Sequence, residues 1–391
     1  MTDLPALPLA GIVVADFSRV LAGPIATMTL ADLGATVIKV ENPQGGDDTR
    51  SWGPPLTADG VATYYESVNR NKRSVTVNLR DPDDLNRARA LIAHADVMVE
   101  NFRPGYLDSI GLDYGTVSAL NPRIVYVSIS GFGTTGAGRQ LLGYDFAVQA
   151  AGGLMHITGE PGGAAMKVGL PVVDVLAGKD AIVGILAALY RRLSTGVGAR
   201  IEITLLSSLQ GALVNQGQAV LGAGIEPQRM GNAHPSISPY QALRCLDGDL
   251  VIACGNDGQF RRLVEALGVP GLADDERFAR NPDRVARRDE LVPVLEAQLL
   301  GADAATWEAR LSAVGVPAAR VRTISEGLAF ADALGSDPLV ALTDREGRPS
   351  GKQVRNPLTW SPPLDSPALA PPALGEDDEW FDDWLRTSRL P

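Results

Sequence analysis

An aspartate near the middle of the chain follows a short run that contains glycine and proline. The run GLPVV occupies residues 169–173, and Asp174 comes next, at the start of a long apolar segment. A carboxylate at a helix start can accept backbone N–H groups as an N-cap and stabilise the helix by about 1 kcal/mol. The position also suits a nucleophile, because nearby N–H groups can stabilise an oxyanion. Spacing alone leaves both interpretations open.

Histidine and cysteine, the usual metal ligands, are sparse in this chain. The histidines His94, His156 and His234 show no metal-ligand spacing, and two cysteines, Cys245 and Cys254, are too few for a disulfide framework. Both cysteines lie in apolar, strand-like surroundings, which favours buried core thiols. The sequence therefore predicts no metal site.

Composition and charge narrow the class of partner. Of the 391 residues, 45% are hydrophobic and 21% are charged, as in ordinary globular proteins. The net charge of −11 argues against a nucleic-acid partner, although a local basic groove could still bind a small anionic cofactor. The first nine residues lack the layout of an export signal, and no apolar run approaches the ~20 residues that span a bilayer. We expect a cytoplasmic protein without membrane attachment.

Strand-like and helix-like segments alternate over the first 200 residues, which is typical of a parallel α/β sheet covered on both faces. The predicted strands are residues 11–17, 36–40, 74–78, 96–101, 124–130 and 199–205. The predicted helices are residues 24–33, 83–95, 174–193 and 207–222. Small residues on most faces of the third helix predict close packing against a neighbour.

The composition changes near Pro227. A strand pair around residues 243–253 and charged amphipathic helices near 260–267, 284–300 and 304–314 predict a separate, smaller domain. The tail from Pro357 is rich in proline and acidic residues, which is typical of an extended arm.

Several segments together resemble the class III CoA-transferases of the CaiB/BaiF type. They are the opening AGIVVADFSRVLAGP, then SVNRNKRSVTVNL, VENFRPG, NPRIVYVSISGFG, GLPVVDVLAGKD, TGVGARIEI and, near the end, PPALGE, and they run in family order. The resemblance implies a large α/β domain with a Rossmann-like parallel sheet, a smaller α+β domain and an interlocked homodimer. The implied domains are residues 1–225, the small domain 226–325, and a segment 326–391 that returns to the large domain.

The resemblance implies that Asp174 is the nucleophile. Its carboxylate would attack a donor thioester, pass through a mixed anhydride and carry coenzyme A as an aspartyl thioester. No cofactor is expected beyond coenzyme A, which is a carried substrate.

The family positions that contact coenzyme A imply a set of binding residues in three segments. They are Arg19, Val20, Leu21, Ala22, Val77, Asn78, Leu79, Arg80, Asn101, Phe102 and Arg103. Arg80 and Arg103 can pair with phosphates, whereas Phe102 and Val77 can flank a base. Each arginine taken alone is equally well a solvated surface charge.

Aromatic residues are implied near the reacting carbon, where a tyrosine hydroxyl could hydrogen-bond an acyl oxygen. Trp52, Tyr64 and Tyr144 map to these positions, with core or interface packing as the alternative. Related racemases carry a histidine where this chain has Tyr144, so their proton relay would lack a member.

The loop at residues 231–241 most resembles that of succinyl-CoA:dicarboxylate transferases of the glutarate type. Formyl-CoA enzymes have a run of glycines there, whereas His234, Ser236 and Ser238 could contact a second substrate carboxylate. His234 could equally be a structural loop residue. We therefore expect transfer from succinyl-CoA to a dicarboxylic acid. The alternatives are a formyl-CoA/oxalate-type transferase, a racemase of the same fold, or a binding protein without turnover.

Overall fold

The computed structural model describes residues 7–387, which form two compact units. Among the described residues, the first unit contains 7–154, Lys167–Ile225 and 337–387; the second contains Met155–Met166 and Glu226–Ser336. This division differs from the predicted domain bounds at two places. Residues 155–166 join the second unit, and the second unit continues past residue 325 because a helix at Ile324–Ala333 belongs to it.

A six-stranded, all-parallel sheet forms the centre of the first unit, in the order β3-β2-β1-β4-β5-β6. The strands are β1 Val13–Asp16, β2 Thr36–Glu41, β3 Arg73–Thr76, β4 Val97–Glu100, β5 Val125–Ser130 and β6 Ala199–Thr204. The predicted α/β class is confirmed. The strand order reverses between β1 and β4, and a crevice at the carboxyl ends of the strands is expected at such a switch point.

Helices cover both faces of the sheet. In chain order, the helices up to residue 225 are α1 Ala22–Asp32, α2 Thr63–Glu66, α3 Pro82–His94, α4 Tyr106–Ser109, α5 Tyr114–Leu120, α6 Asp145–Ala151, α7 Leu154–Ile157, α8 Val172–Thr195, α9 Leu205–Ala212 and α10 Val214–Ala223. Of these, α7 belongs to the second unit apart from its first residue. Successive strand residues point to opposite faces. Val14 therefore packs in the core with α1, α8 and α9, whereas Ala15 packs in the core with α3 and α5.

The long helix α8 lies directly against α1, as its small residues predict. A Cβ on Gly178 would lie 2.8 Å from the carbonyl oxygen of Ala22. The opposite face of α8 is exposed, so this helix is less buried than its composition suggests. The predicted helix at 207–222 is two helices, α9 and α10, because the chain bends at Leu213 and Val214.

Besides most of α7, the second unit contains a three-stranded antiparallel sheet and five further α-helices among its described residues. Its elements are β7 Tyr240–Arg244, β8 Asp249–Ala253, α11 Asp257–Ala266, α12 Asn281–Ala286, α13 Arg288–Leu299, α14 Ala304–Ala313, β9 Ala318–Arg320 and α15 Ile324–Ala333. Cys245 and Cys254 are free and buried in its apolar core.

The chain then returns to the first unit with β10 Leu339–Thr343, β11 Pro349–Val354 and α16 Asp378–Thr387. The prediction of an extended arm is wrong for α16. Trp380, Phe381 and Trp384 recur at helical spacing, and Phe381 is fully buried in the core beside α3. Within residues 7–387, no helix has the length and apolarity needed to cross a membrane.

Candidate active site

A cleft of about 210 Å³ opens at the carboxyl ends of β1 and β4, where the strand order reverses. It brings together nine of the residues singled out from the sequence. They are Arg19, Val20, Leu21, Ala22, Asn101, Phe102, Arg103, Tyr144 and Asp174. Segments distant in the chain converge here because parallel strands deliver their following loops to one edge of the sheet.

Asp174 lies in the first turn of α8, two residues after the helix begins. The N-cap position belongs to Pro171, so Asp174 does not cap its own helix. Within residues 7–387, its carboxylate accepts no hydrogen bond and has no cationic partner. Burial, assisted by the negative charge of Asp145, raises the pKa of Asp174 to about 7. The structure thus presents an unpaired, unusually basic carboxylate to the cleft.

Asp145, at the start of α6, supplies the cap that Asp174 does not. Its Oδ2 accepts the backbone N–H groups of Val173 at 2.7 Å and Asp174 at 3.2 Å. The Gln149 side chain donates to Oδ1 of Asp145 at 2.5 Å and accepts the N–H of Val168 at 2.9 Å. These first-turn N–H groups are already engaged, so they are not free to stabilise an oxyanion.

The loop between β1 and α1 forms one wall of the cleft, and Asn101 orients it. The Asn101 side chain accepts the N–H of Arg19 at 2.8 Å and donates to the Arg19 carbonyl at 2.7 Å. The Arg19 guanidinium lies 3.1 Å from Asp48 and 5.2 Å from the centre of the Phe102 ring. Arg103 is exposed and has no ion pair within the described residues. Of the two arginines, Arg103 has the freer charge for a phosphate.

The predicted segment Val77–Arg80 does not line this cleft. It follows β3, so it lies along the same edge of the sheet, two strands from β1. The Val77 side chain is buried in the core, so only its backbone is available to a base. Asn78 accepts the N–H of Arg80 at 3.1 Å, and Leu79 is half-buried against the core. Arg80 is exposed and has no ion pair in the described chain.

Trp52 and Tyr64 pack edge to face, with ring centres 5.3 Å apart. Burial, together with the negative charges of Asp174 and Asp145, raises the pKa of Tyr64 to about 12. Its hydroxyl has no hydrogen-bond partner within residues 7–387. Neither Trp52 nor Tyr64 lines the cleft, although the Asp174 charge acts on the Tyr64 hydroxyl, which stays neutral at physiological pH. Tyr144 is largely exposed in the cleft wall.

His234 and Ser236 belong to the second unit, in the loop before β7. The N–H of Ser236 donates to Nδ1 of His234 at 3.0 Å, and the His234 ring centre lies 5.1 Å from that of Tyr240. Arg288 donates to the His234 carbonyl at 2.6 Å. These contacts hold the ring and the backbone of His234 in place within its loop.

Several site residues were missed in the sequence. Asp145 and Gln149 lie in the run GYDFAVQ, where an aspartate precedes a short apolar helix and marks a possible N-terminus. Gly131 and Gly143 are a second missed pair, since a Cβ on Gly131 would lie 2.4 Å from the Cα of Gly143. Their bare backbones form part of the cleft wall. Among residues 7–387, no group of three His, Cys, Asp or Glu side chains could hold a metal ion.

Comparison with known proteins yields consistent matches over most of the chain. The family model described as CoA-transferase family III matches residues 9–378. The chain is 45% identical over 339 residues to a succinate–glutarate CoA-transferase of Agrobacterium fabrum, covering 85% of this chain and 84% of that protein. It is 40% identical over 372 residues to the succinyl-CoA:glutarate CoA-transferase of Mus musculus, covering 94% and 84%. A crystal structure of a CAIB/BAIF family protein from Brucella suis superposes with a TM-score of 0.85 at 42% identity, covering 97% of this chain and all of that one.

Proposed function

Because the chain belongs to CoA-transferase family III, we propose that it moves coenzyme A from succinyl-CoA to a dicarboxylic acid through a thioester on Asp174. The observation that carries the proposal is the unpaired Asp174 carboxylate, whose pKa is raised to about 7 in the cleft. A more basic, partly desolvated carboxylate is a stronger nucleophile than one in water.

The proposed reaction proceeds in two symmetrical halves. The Asp174 carboxylate attacks the thioester carbonyl of succinyl-CoA, and the C–S bond breaks to give a mixed anhydride and the CoA thiolate. The thiolate then attacks the aspartyl carbonyl, releasing succinate and leaving aspartyl-CoA. The acceptor carboxylate attacks this thioester in turn, and the released thiolate takes the acceptor acyl group and regenerates the Asp174 carboxylate. These reaction steps need no redox or metal cofactor, because charge and electrons balance in each of them.

The Tyr64 hydroxyl is the proposed donor to the acyl oxygen. With a pKa of about 12 it stays protonated at neutral pH, so it can donate to the negative charge that develops on that oxygen. Such a donor matters because the N–H groups of the first turn of α8 already bond to Asp145. Trp52, packed against Tyr64, and Tyr144 in the cleft wall are the proposed neighbours of the acyl chain.

The identity of the acids is proposed from the relatives, which are named for succinate, succinyl-CoA and glutarate. A second carboxylate on the acceptor requires polar contacts, and His234 and Ser236 are the proposed candidates from the sequence. The free, buried thiols of Cys245 and Cys254 suit a reducing compartment, and we propose the cytoplasm.

Trapping the intermediate tests the central step. After incubation with succinyl-CoA, hydroxylamine should convert Asp174 to a hydroxamate, which peptide mass spectrometry locates. Asp174→Asn should give no adduct. An unmodified wild-type protein, or equal labelling of the variant, would contradict the covalent step. A turnover panel of dicarboxylates of four to six carbons tests the acceptor class separately, and no activity with any of them would rule that class out.

We also propose that the enzyme is an interlocked homodimer, as the family resemblance implies. One face of α8 leaves Val183, Tyr190 and Leu193 exposed, and no residue of α10 is buried. Contiguous exposed apolar side chains mark an interaction surface. A second copy of the chain is the partner that this surface would suit.

A further inference from the structure

The loop between β1 and α1 contains a backbone conformation that its residue type disfavours. Val20 has φ +69°, in the left-handed region where a branched side chain crowds the backbone. The residue lines the candidate cleft between Arg19 and Leu21. A strained conformation persists only where its surroundings hold it in place, and such positions concentrate at functional sites.

The group that holds Val20 is the carboxylate of Asp47. The N–H of Val20 donates to both carboxylate oxygens, at 3.2 and 3.3 Å. Asp47 in turn pairs with Lys39 at 2.8 Å, and both side chains are 0% exposed. Thr49 fixes the orientation of Asp47, donating from its N–H at 3.0 Å and its hydroxyl at 2.7 Å. None of these three side chains lines the cleft.

Other side chains bind the backbone polar groups of Ser18 and Arg19 in this loop. The N–H of Ser18 donates to Asp16 at 3.0 Å, and the Ser18 carbonyl accepts from Lys39 at 2.9 Å. The Asn101 side chain accepts the N–H of Arg19 and donates to its carbonyl oxygen. From Ser18 to the N–H of Val20, the loop is therefore shaped by side chains rather than by a helix or a sheet.

We propose that Asp47, with Lys39 as its ion-pair partner, is a positioning residue for coenzyme A binding. By holding Val20 in the left-handed region, Asp47 sets the Arg19–Ala22 wall of the cleft without touching the ligand. The inference rests on the proposed function, in which this cleft binds coenzyme A.

The hydrogen bonds between the Val20 N–H and the Asp47 carboxylate do not depend on pH in the neutral range. Burial acts to raise the pKa of Asp47, but the Lys39 ammonium and the hydrogen bonds from Thr49 outweigh it and keep that pKa well below its usual range. Asp47 stays ionised wherever the enzyme is active. A defect at Asp47 should therefore be the same from pH 6 to 9, unlike a change in the titration of Asp174.

The first test is Asp47→Asn, which removes the charge from a side chain of nearly equal size. We expect the KM for succinyl-CoA, and the Kd of coenzyme A by isothermal titration calorimetry, to rise about tenfold, the effect typical of losing a charge-assisted hydrogen bond. At saturating substrate, kcat should change by less than about threefold, because the loss falls on binding.

A matched control is Asp32→Asn. Asp32 pairs with Arg70 at 2.6 Å in the same unit, with side-chain exposures of 8% and 6%, and neither residue lines the cleft. This variant also breaks a buried ion pair, so it should lose stability while KM and Kd stay within about twofold of wild type. An equal rise in KM in both variants would mean that Asp47 acts only through general stability, and would overturn the proposal.

A second substitution, at Val20, tests whether Asp47 affects coenzyme A binding through the backbone of Val20. Glycine adopts the left-handed region about as readily as the right-handed one. A Val20→Gly chain therefore no longer needs the Asp47 carboxylate to keep residue 20 in that conformation. In the Val20→Gly background, Asp47→Asn should raise KM by less than about threefold, a coupling that a double-mutant cycle measures. Equal effects in both backgrounds would show that Asp47 does not act through Val20.

If Asp47→Asn does not fold, Thr49→Val replaces it. That variant removes only the hydroxyl that orients Asp47 and should raise KM in the same direction, by about twofold to threefold. An unchanged KM would contradict the proposal. Failure of the proposed function gives a different result, since wild-type protein would then neither bind coenzyme A nor transfer it.

Discussion

The Asp174 carboxylate is the reactive form in the proposed mechanism, and its environment sets the pH at which that form exists. Burial and the Asp145 charge raise the pKa of Asp174 to about 7. We therefore expect kcat/KM for succinyl-CoA to fall about tenfold per pH unit below pH 7 and to level off above it. A pH–rate profile measures this. A flat profile between pH 5.5 and 8 would contradict an Asp174 nucleophile with this pKa.

The raised pKa of Asp174 also has a stability consequence. Between about pH 4 and 7 the folded state holds a proton that the unfolded chain has released, so this group destabilises the fold increasingly as pH rises through that window. Asp174→Asn should therefore raise the free energy of unfolding at pH 8 by on the order of 2 kcal/mol, and by much less at pH 4. Urea denaturation at both pH values measures the difference; a variant less stable than wild type at pH 8 would refute it.

Asp145 has two roles that one substitution can test. Its carboxylate accepts the first-turn N–H groups of α8 although it belongs to α6, and its charge contributes to the high pKa of Asp174. Asp145→Asn keeps an oxygen for the N–H groups of the first turn but removes the charge. The acid limb of the pH–rate profile should move down by about half a unit to one unit. An acid limb that does not move in Asp145→Asn would exclude an electrostatic role for Asp145.

At the level of single residues, the sequence predicted a nucleophile at Asp174 but nothing of the environment of its carboxylate. Asp145 is 29 positions away in the chain, and only the folded arrangement of α6 and α8 brings its carboxylate to the backbone of Asp174. Asp47 and Val20 are a similar case. Local patterns predict where helices begin, but they do not show which distant side chain satisfies a given N–H group.

Among the elements, the packing of α8 against α1 links the helix that carries Asp174 to the loop that lines the cleft. Gly178→Ala would place a methyl group 2.4 Å from the Ile25 side chain and 2.8 Å from the Ala22 carbonyl. The variant should lose about 1–3 kcal/mol of stability and raise the KM for succinyl-CoA, because Ala22 lines the cleft. Thermal unfolding and steady-state kinetics measure the two effects.

Gly327→Ala in α15 is the control, since nothing lies within 4 Å of a Cβ there. It should leave stability unchanged or raise it by up to about 1 kcal/mol, because alanine favours helix more than glycine does. A similar loss of stability in both variants would show that the effect of Gly178→Ala does not come from the α1–α8 contact.

The strands were the elements best predicted from sequence. Buried parallel strands are short, β-branched and bounded by turns, so the periodicity identified all six strands of the large sheet to within a few residues. The helix breaks were harder to predict. The run at 284–300 divides at Arg287, where ψ is +33°, and no glycine or proline marks that position. The helix α16 was missed because the proline-rich stretch before it dominated the composition of the tail.

For the molecule as a whole, the exposed apolar faces of α8 and α10 predict its assembly. Leu193 and Leu221 are 83% and 84% exposed, and so many exposed apolar side chains on two helices of one unit are unusual for a protein that stays monomeric. Light scattering should give twice the 41.2 kDa of one chain for the wild type. Leu221→Asp would bury a charge at the interface, so the mass should fall to that of one chain at micromolar concentration.

Leu246→Asp provides the comparison, because Leu246 is also well exposed but lies in a turn of the second unit, away from these helices in the sequence. This variant should keep the wild-type mass. Dissociation should also lower the rate of CoA transfer. The helix α8 carries both the exposed apolar face and Asp174, so a partner that covers this face would reduce the mobility of the helix near Asp174. A Leu221→Asp protein that keeps the mass of two chains would place the interface elsewhere. A monomer with full activity would separate assembly from catalysis.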